Sequence, residues 1–465
     1  MQKSEMIRLN ILVVSGSPKG EYSITLQTVR YLERLHPEHR FTVLHAGQRI
    51  ASLERDFAPA AELLREAELL LFCYPVYTFI APSQLHRFIE LVKEHGVELA
   101  GKLATQITTS KHFYDVTAHR YIQDNCDDLG LRFIRGLSAD MDDLLCERGR
   151  QQARAFFERV LWCAQNGVFE PRGALPGADG DAREGAPAAD ISPEDASPAD
   201  KPGDVVIVAD LRPQDASLAR MIARFRAELP LKTRVVNLRE YPFKGGCLGC
   251  FNCATDGACI YKDGFDAFLR GEIQTAQAIV YAFTIRDHSM GARMKLYDDR
   301  QFCNGHRTVT MGMPVGYLIS GAYSREANLQ MIVEGRAQVG GNFLAGVATD
   351  EEDAGARVGA LCKSLCYAIE RRYTQPQNFY GVGGMKIFRD LIYQMRGMMK
   401  ADHRFYKAHG QYDFPQKRKG TILKMYAVGA LLSSPKLRAK LGNRMNEGML
   451  LPYKKALDAA AKKED

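Results

Sequence analysis

No run of eighteen or more apolar residues occurs in the sequence, so no segment is long enough to cross a bilayer as a helix. The start, Met1-Gln2-Lys3-Ser4-Glu5-Met6, is polar and has no signal-peptide core. The eleven cysteines are an odd number with four clustered, which excludes a simple disulfide framework and, with no leader, predicts a reducing cytoplasm. No recognised nucleic-acid-binding motif accompanies the basic charge, so nucleic acid is not expected as a partner.

What is present is enough apolar material for real cores, in a chain whose 465 residues predict two to four domains. The net charge of +7 is uneven. From Lys386 onward there are eighteen Lys and Arg against seven Asp and Glu, a balance of +11, which leaves −4 for the first 385 residues. The basic character therefore belongs to the C-terminal region.

The chain is organised around Cys247-Leu248-Gly249-Cys250-Phe251-Asn252-Cys253 and the following Cys259, spaced C-x2-C-x2-C-x5-C. Thiolates select soft metals: zinc, copper(I) or iron–sulfur clusters. Structural zinc usually takes two separated cysteine pairs. Here three cysteines share one continuous turn, which suits one compact polynuclear object, and four thiolates is the ligand count of a [4Fe–4S] or [2Fe–2S] cluster. Zinc and free thiols remain the alternatives. Gly249, between two of the cysteines, could let a backbone amide point at sulfur.

Leu9 to Val14 reads as a buried strand, followed by a Gly/Ser-rich loop, Ser15 to Thr25, and a helical pattern through Leu35. Such a loop offers amides and hydroxyls at a helix N-terminus, where phosphate binds well. Further strands are predicted at 41–44, 69–72, 103–107 and 133–136, with helices at 61–67, 83–94, 119–129 and 150–164. Strands alternating with helices predict a doubly wound parallel sheet whose ligand lies beyond the strand carboxyl ends. Tyr74-Pro75-Val76-Tyr77 and Thr108-Thr109-Ser110 fall at such ends. The simpler reading of Tyr74 and Tyr77 is half-buried rim aromatics.

With those three loops, the chain resembles the flavodoxin-like NAD(P)H-dependent FMN reductases. The resemblance implies that Ser15, Ser17, Tyr22, Ser23 and Thr25 contact the FMN phosphate. It places Pro75, Val76, Tyr77, Thr109 and Ser110 near the flavin ring, and His112, in the flavin-facing loop, is the candidate proton donor. NAD(P)H is the implied electron donor. No second dinucleotide fingerprint is visible, which suits a nicotinamide that only stacks transiently on the flavin.

Residues 168–203 are rich in Pro, Ala, Asp and Gly and read as a flexible acidic tether. The strand–helix pattern then restarts at Asp204, with strands at 204–209, 233–238, 279–283 and 315–319, Val309 to Met311 as a further candidate, and helices at 217–228, 325–339 and 352–371. The chain thus reads as an internal duplication. A compact cysteine loop after the second strand of such a unit, ending Cys259-Ile260-Tyr261-Lys262-Asp263, resembles the iron–sulfur flavoproteins of anaerobes. That resemblance implies a [4Fe–4S] cluster on Cys247, Cys250, Cys253 and Cys259. The first loop of this second unit, Asp210 to Ser217, has no glycine and carries two carboxylates that would repel phosphate. The expectation is division of labour, FMN in the first unit and cluster in the second, with a second FMN in the second unit as the alternative. The other seven cysteines (73, 126, 146, 163, 303, 362 and 366) are expected to be ordinary buried thiols, and His288 and His306 structural.

After a break expected at Gly381-Val382-Gly383-Gly384, residues 376–465 read as basic amphipathic helices, including an apolar run from Thr421 to Leu432. They either pack on the domains or a dimer mate, or dock an acidic carrier such as ferredoxin or flavodoxin, or touch a membrane surface. The expectation is α/β: two tandem flavodoxin-like doubly wound parallel-sheet domains (1–167 and 204–375) joined by the 168–203 linker, plus an α-helical extension. The expected protein is a cytoplasmic, homo-oligomeric redox flavoprotein passing electrons between flavin, cluster and a small-molecule acceptor. A pure electron carrier and a zinc-stabilised interaction protein are the rival readings.

Overall fold

The computed structural model describes residues 8–172 and 201–436. The N-terminal seven residues, most of the acidic tether and the last part of the basic extension lie outside the described residues. The chain forms two compact units, Met1–Phe405 and Tyr406–Asp465.

The first unit contains two parallel sheets. The strands of the first are β1 (Asn10–Ser15), β2 (Arg40–Leu44), β3 (Leu69–Pro75), β4 (Leu103–Ser110), β5 (Arg132–Phe133) and β6 (Leu137–Asp140). They run in the order β2-β1-β3-β4-β5, with β6 also beside β4. The helices between them are α1 (Ile24–Leu35), the single turn α2 (Ile50–Leu53), α3 (Ala58–Glu66), α4 (Ser83–Glu94), α5 (Asp115–Asp128) and α6 (Glu147–Asn166). The second sheet holds β7 (Val205–Asp210), β8 (Thr233–Asn237), β9 (Ala278–Thr284), β10 (Pro314–Ser320) and β11 (Phe343–Thr349) in the order β11-β10-β9-β7-β8. Counted from its own first strand, this winding repeats that of the first sheet. Its helices are α7 (Ala216–Glu228), the short turns α8 (Cys253–Asp256) and α9 (Phe265–Phe268), α10 (Gly291–Arg300), α11 (Ala327–Gly340) and α12 (Ala354–Arg371).

Both sheets are buried on both faces, as continuous apolar strands require. Ile11, Val13, Leu69 and Leu71 face α1 and α6 through Leu26, Val29, Leu32 and Phe157. Ile207, Val280 and Leu318 face α7 and α12 through Phe225, Leu361 and Leu365. The opposite faces share one central core in which Val14 and Phe72 of the first sheet belong with Val208, Ile279 and Phe283 of the second. The two α/β domains therefore share one core within a single compact unit.

Helices α4 and α10 join the halves by reciprocal capping. The Ser83 N–H at the start of α4 donates to Asp299 Oδ2 at the end of α10 (2.7 Å), and the Ala292 N–H at the start of α10 donates to Glu90 Oε1 of α4 (2.8 Å). Each carboxylate meets orphan amides at the positive end of a helix. The turns before these helices also correspond. Tyr77 and Ile80 exchange backbone hydrogen bonds around Thr78 and Phe79, and Arg286 and Ser289 do so around Asp287 and His288. All four central residues have positive φ. One turn later, Lys295 of α10 donates to the Tyr77 carbonyl (2.9 Å), and His86 of α4 meets Asp287 Oδ2 (2.8 Å).

His288, in the second turn, sits between Asp128 (3.0 Å) and Glu326 (3.1 Å). Burial alone would lower its pKa, but the two carboxylates carry it up to about 10. A raised value stabilises the fold fully below the ordinary histidine range, and that contribution is lost as pH rises through about 10. His288→Asn, which tolerates the positive φ, is expected to cost about 3 kcal/mol near pH 6.5. In urea unfolding, the gap to the parent protein should close by pH 10; a gap independent of pH would refute this.

Several sequence expectations are corrected. Val309 to Met311 is not a strand; the fifth strand of the second sheet is β11, whose Phe-Leu-Ala-Gly-Val-Ala-Thr shows neither alternation nor β-branched enrichment and whose register with β10 shifts at Val315/Gly316. The expected break at Gly381–Gly384 lies inside a continuous helix, α13 (Phe379–Gln394). A Cβ on Gly384 would sit 2.7 Å from Val339 and 3.0 Å from Phe113, so this glycine permits close helix packing rather than ending a helix. Cys146 is exposed rather than buried, and its sulfur accepts from Gly149 N–H at the start of α6. Tyr74 is fully buried rather than on a rim, with its hydroxyl 2.7 Å from Gln106 Oε1. The chain continues through α14 (Lys400–Ala408) and α15 (Lys419–Leu432). Among the described residues, no helix is long and apolar enough to cross a membrane.

Candidate functional site

At the carboxyl end of the first sheet, a cavity of about 410 Å³ opens between the two halves of the first unit. Ser17, Ser23, Thr25, Pro75, Val76, Tyr77, Thr109 and Ser110 line it, and so do Cys247, Cys250, Cys253 and Cys259. Two loop sets far apart in sequence thus share one space.

The first loop turns directly out of β1. Ser23 caps α1, its hydroxyl accepting from Leu26 N–H at 3.4 Å. Thr25 Oγ1 and Thr109 Oγ1 share a 2.6 Å hydrogen bond that ties the first loop to the end of β4. Ser15 does not line the cavity; its buried hydroxyl has no hydrogen-bond partner. Tyr22 is 88% exposed and also lies off the cavity. His112 is half-exposed, with Nδ1 2.8 Å from Asp115 Oδ2, and does not line the cavity. A proton donor facing a ring bound there is not where the structure places it.

Sequence reasoning missed Lys19, Lys111, Phe113, Cys303 and Phe388, which also line the space. Lys19 lies over the Phe251 ring at 5.5 Å and bridges the first loop to the cysteine loop. Phe388 of α13 stacks on Phe113 (4.3 Å), so part of the region read as an extension forms a wall of the cavity. A helical stripe signals that α13 packs somewhere, but not against which partner.

The cysteine loop is held from both halves. Gln84 of α4 donates to the Cys247 carbonyl at 3.3 Å. Arg300 forms a paired contact with Asp263 (2.7 and 2.8 Å) and donates to the Gly245 carbonyl (2.9 Å). The Gly249 N–H donates to Cys247 Sγ at 3.4 Å, and Cys253 Sγ donates to the Phe302 carbonyl at 3.0 Å. Burial pushes the Cys247 thiol up to about 12 and that of Cys253 to about 11. Any metal bound by these thiols would have to displace those protons, which rising pH favours.

Gly249 has φ +59, and a Cβ there would lie 1.9 Å from Tyr77 Oη. Gly249→Ala is expected to cost roughly 1–3 kcal/mol from strained backbone and overpacking. Tyr77→Phe removes the closest atom, leaving ring carbon at 3.0 Å. The double variant should recover part of the loss in thermal unfolding; strictly additive losses would show that the clash is not the cause.

A tetrahedral zinc bound at ~2.3 Å needs sulfurs ~3.8 Å apart. Among the described residues, the one trio of candidate ligand atoms all within 4.8 Å is His36, Glu38 and His39, not any three of the cysteines. That trio is itself a poor metal site, because Leu9 N–H donates to His39 Nδ1 (3.2 Å). A histidine ligand needs to donate from its second nitrogen, not accept there.

The corresponding end of the second sheet is filled from within. Asp350 Oδ2 accepts from Ser217 Oγ (2.6 Å) and Ser320 Oγ (2.5 Å), and its other oxygen accepts from Gly321 N–H (2.8 Å). Asp210 pairs with Arg239 (2.6 Å) and Asp215 with Arg286 (2.8 Å).

Residues 9–134 match the family model described as a flavodoxin-like fold. The first sheet is flavodoxin-like. Structural comparison finds similarity to a general stress protein 14 from Treponema denticola in complex with FMN, at 16% identity and TM-score 0.28, over 32% of this chain and 97% of that one. An NAD(P)H:quinone oxidoreductase from Methanothermobacter marburgensis matches at 12% identity and TM-score 0.27, over 36% and 100%. FerB, a flavoenzyme NAD(P)H:(acceptor) oxidoreductase from Paracoccus denitrificans, matches at 16% and 0.27, over 33% and 97%. Comparison with curated proteins finds no match. The flavodoxin-like match stops before the cysteine loop, which lies in the second sheet's half.

Proposed function

We propose that the protein is a flavin-dependent NAD(P)H oxidoreductase that moves electrons between FMN, held by the first sheet's loops, and a [4Fe–4S] cluster on Cys247, Cys250, Cys253 and Cys259. The observation that carries this reading is the cavity lined both by the flavodoxin-like loops and by all four cysteines. FMN, when bound, supplies exchange between two-electron and one-electron chemistry, and the cluster supplies single-electron transfer.

The chain's own part is binding, orientation and shielding. The N-terminus of α1 and the buried hydroxyl of Ser17 suit an anionic phosphate. Pro75, Val76 and Tyr77 provide a half-buried wall for a planar ring. The Gly249 amide directed at Cys247 sulfur would stabilise negative charge on a thiolate. Four thiols are soft donors of the kind and number that a polynuclear iron–sulfur group takes.

Supporting one flavin per chain is the internal filling of the second sheet's end by Asp350, which stands where a phosphate would need room. The division of labour then needs no second chain.

The test is anaerobic purification followed by the visible spectrum and assay of iron, sulfide, zinc and released flavin. About four iron and four sulfide per chain are expected with a single flavin, and flavin bands over a shoulder near 400 nm. NADH or NADPH should then bleach the flavin. Two flavins per chain would overturn the closed second site. Zinc without flavin would overturn the oxidoreductase reading.

A further inference from the structure

The second compact unit contains α15, Lys-Gly-Thr-Ile-Leu-Lys-Met-Tyr-Ala-Val-Gly-Ala-Leu-Leu. None of its residues is buried; Leu423 is 72% and Tyr426 75% exposed, with Ile422, Met425, Val428 and Leu431 exposed as well. Soluble surface helices carry one apolar stripe and a polar face. Here the large apolar side chains are spread around the axis, so packing one face on a protein would still leave the others in water.

The charge around the helix has one sign. Between Phe414 and Asn446 the sequence contains eight Lys and Arg and no Asp or Glu. Lys417, Arg418 and Lys419 stand at the start of the helix and Lys436 just beyond its end. Fourteen residues make a helix of about 21 Å, short of the ~30 Å hydrocarbon core. The helix can therefore lie within a leaflet boundary but not span it.

We propose that α15 docks this protein on an anionic phospholipid bilayer. Its apolar side chains enter the headgroup–acyl boundary, Lys419 and Lys424 reach outward along their methylene stems, and the flanking cations meet lipid phosphates. An acidic carrier protein would match the charge but not the apolar residues on all sides. The proposal is independent of the cofactor assignment.

The experiment is co-sedimentation of the full-length protein with phosphatidylcholine vesicles containing about 30% phosphatidylglycerol, against phosphatidylcholine alone. The parent protein should bind the anionic vesicles and lose most binding at high salt. L423E/Y426E should weaken binding by about tenfold or more, since each leucine- or tyrosine-sized burial is worth over 1 kcal/mol. Lys417→Gln with Arg418→Gln and Lys419→Gln should weaken it by a similar factor, at about 1 kcal/mol per charge. All five positions are exposed, and matching thermal melts will show that the variants fold. Three results would each overturn the proposal: no binding of the parent protein to anionic vesicles, undiminished binding by L423E/Y426E, or capture of an acidic electron carrier or a second copy through α15 in place of lipid.

Discussion

Cys247→Ser is expected to reduce iron from about four per chain to below one while leaving bound flavin near the parent level. Cys247 lines the cavity, receives the Gly249 amide on its sulfur, and has its carbonyl fixed by Gln84. Its position is set from both halves of the unit, by Gln84 and by its own loop. Cys303 lines the same space but sits on another element. Serine keeps the shape and removes the soft ligand, and a hard oxygen is a poor substitute for thiolate on an iron–sulfur cluster. The proposed flavin loops belong to the other half, so the flavin bands should persist as the shoulder near 400 nm disappears. Cys247→Ala checks that serine is not itself a ligand. Parent-level iron in both variants would remove Cys247 from the ligand set, and joint loss of iron and flavin would deny two separable sites.

The largest expected loss of stability follows Asp263→Ala. Asp263 and Arg300 face each other through two hydrogen bonds, with both side chains 1% exposed. The guanidinium lies among Tyr261 (4.5 Å), Phe265 (5.0 Å) and Phe243 (5.8 Å). Removing the carboxylate leaves a cation in an aromatic box with no anion, at a cost of about 3–5 kcal/mol. Asp263 also accepts from Lys244 N–H (3.2 Å), and Arg300 holds the Gly245 carbonyl, so the entry to the cysteine loop should loosen. Both the urea midpoint and the iron content should fall. Asp263→Asn keeps one acceptor and should lose less in each. Burial alone would raise the Asp263 carboxyl, yet Arg300 holds it down at about 2. The pair's contribution is therefore present above the ordinary aspartate range and is lost as pH falls toward 2. A midpoint shift under about 0.5 kcal/mol, typical of surface changes, would refute the argument.

Much of the site was legible in the chain because the signals are local. A buried strand followed by small residues and a helix reads as a candidate phosphate loop within about fifteen residues, and thiol spacing announces itself within thirteen. The family resemblance of those loops pointed to Ser17, Ser23, Thr25, Pro75, Val76, Tyr77, Thr109 and Ser110, and the structure brings all eight to the cavity. Tyr22 and His112 were carried by their place in a loop, but the direction of a loop side chain depends on neighbours that spacing does not show. Phe388 was read as part of a separate extension because its partner, Phe113, lies far away in the chain.

By itself the sequence determined the two strand–helix repeats, the loops at their strand ends, the cysteine cluster and the segregation of basic charge. Periodicity and turn chemistry act over a few residues, and side-chain charge is fixed by composition. Only the tertiary structure decided that the sheets share one core, that α4 and α10 cap each other, that the cysteine loop opens into the flavodoxin-like half's cavity, and that α13 closes a wall of it. Those contacts join residues as many as 275 positions apart, as Phe113 and Phe388 are. Their energy comes from burial and paired charges that exist only once the chain has folded back on itself.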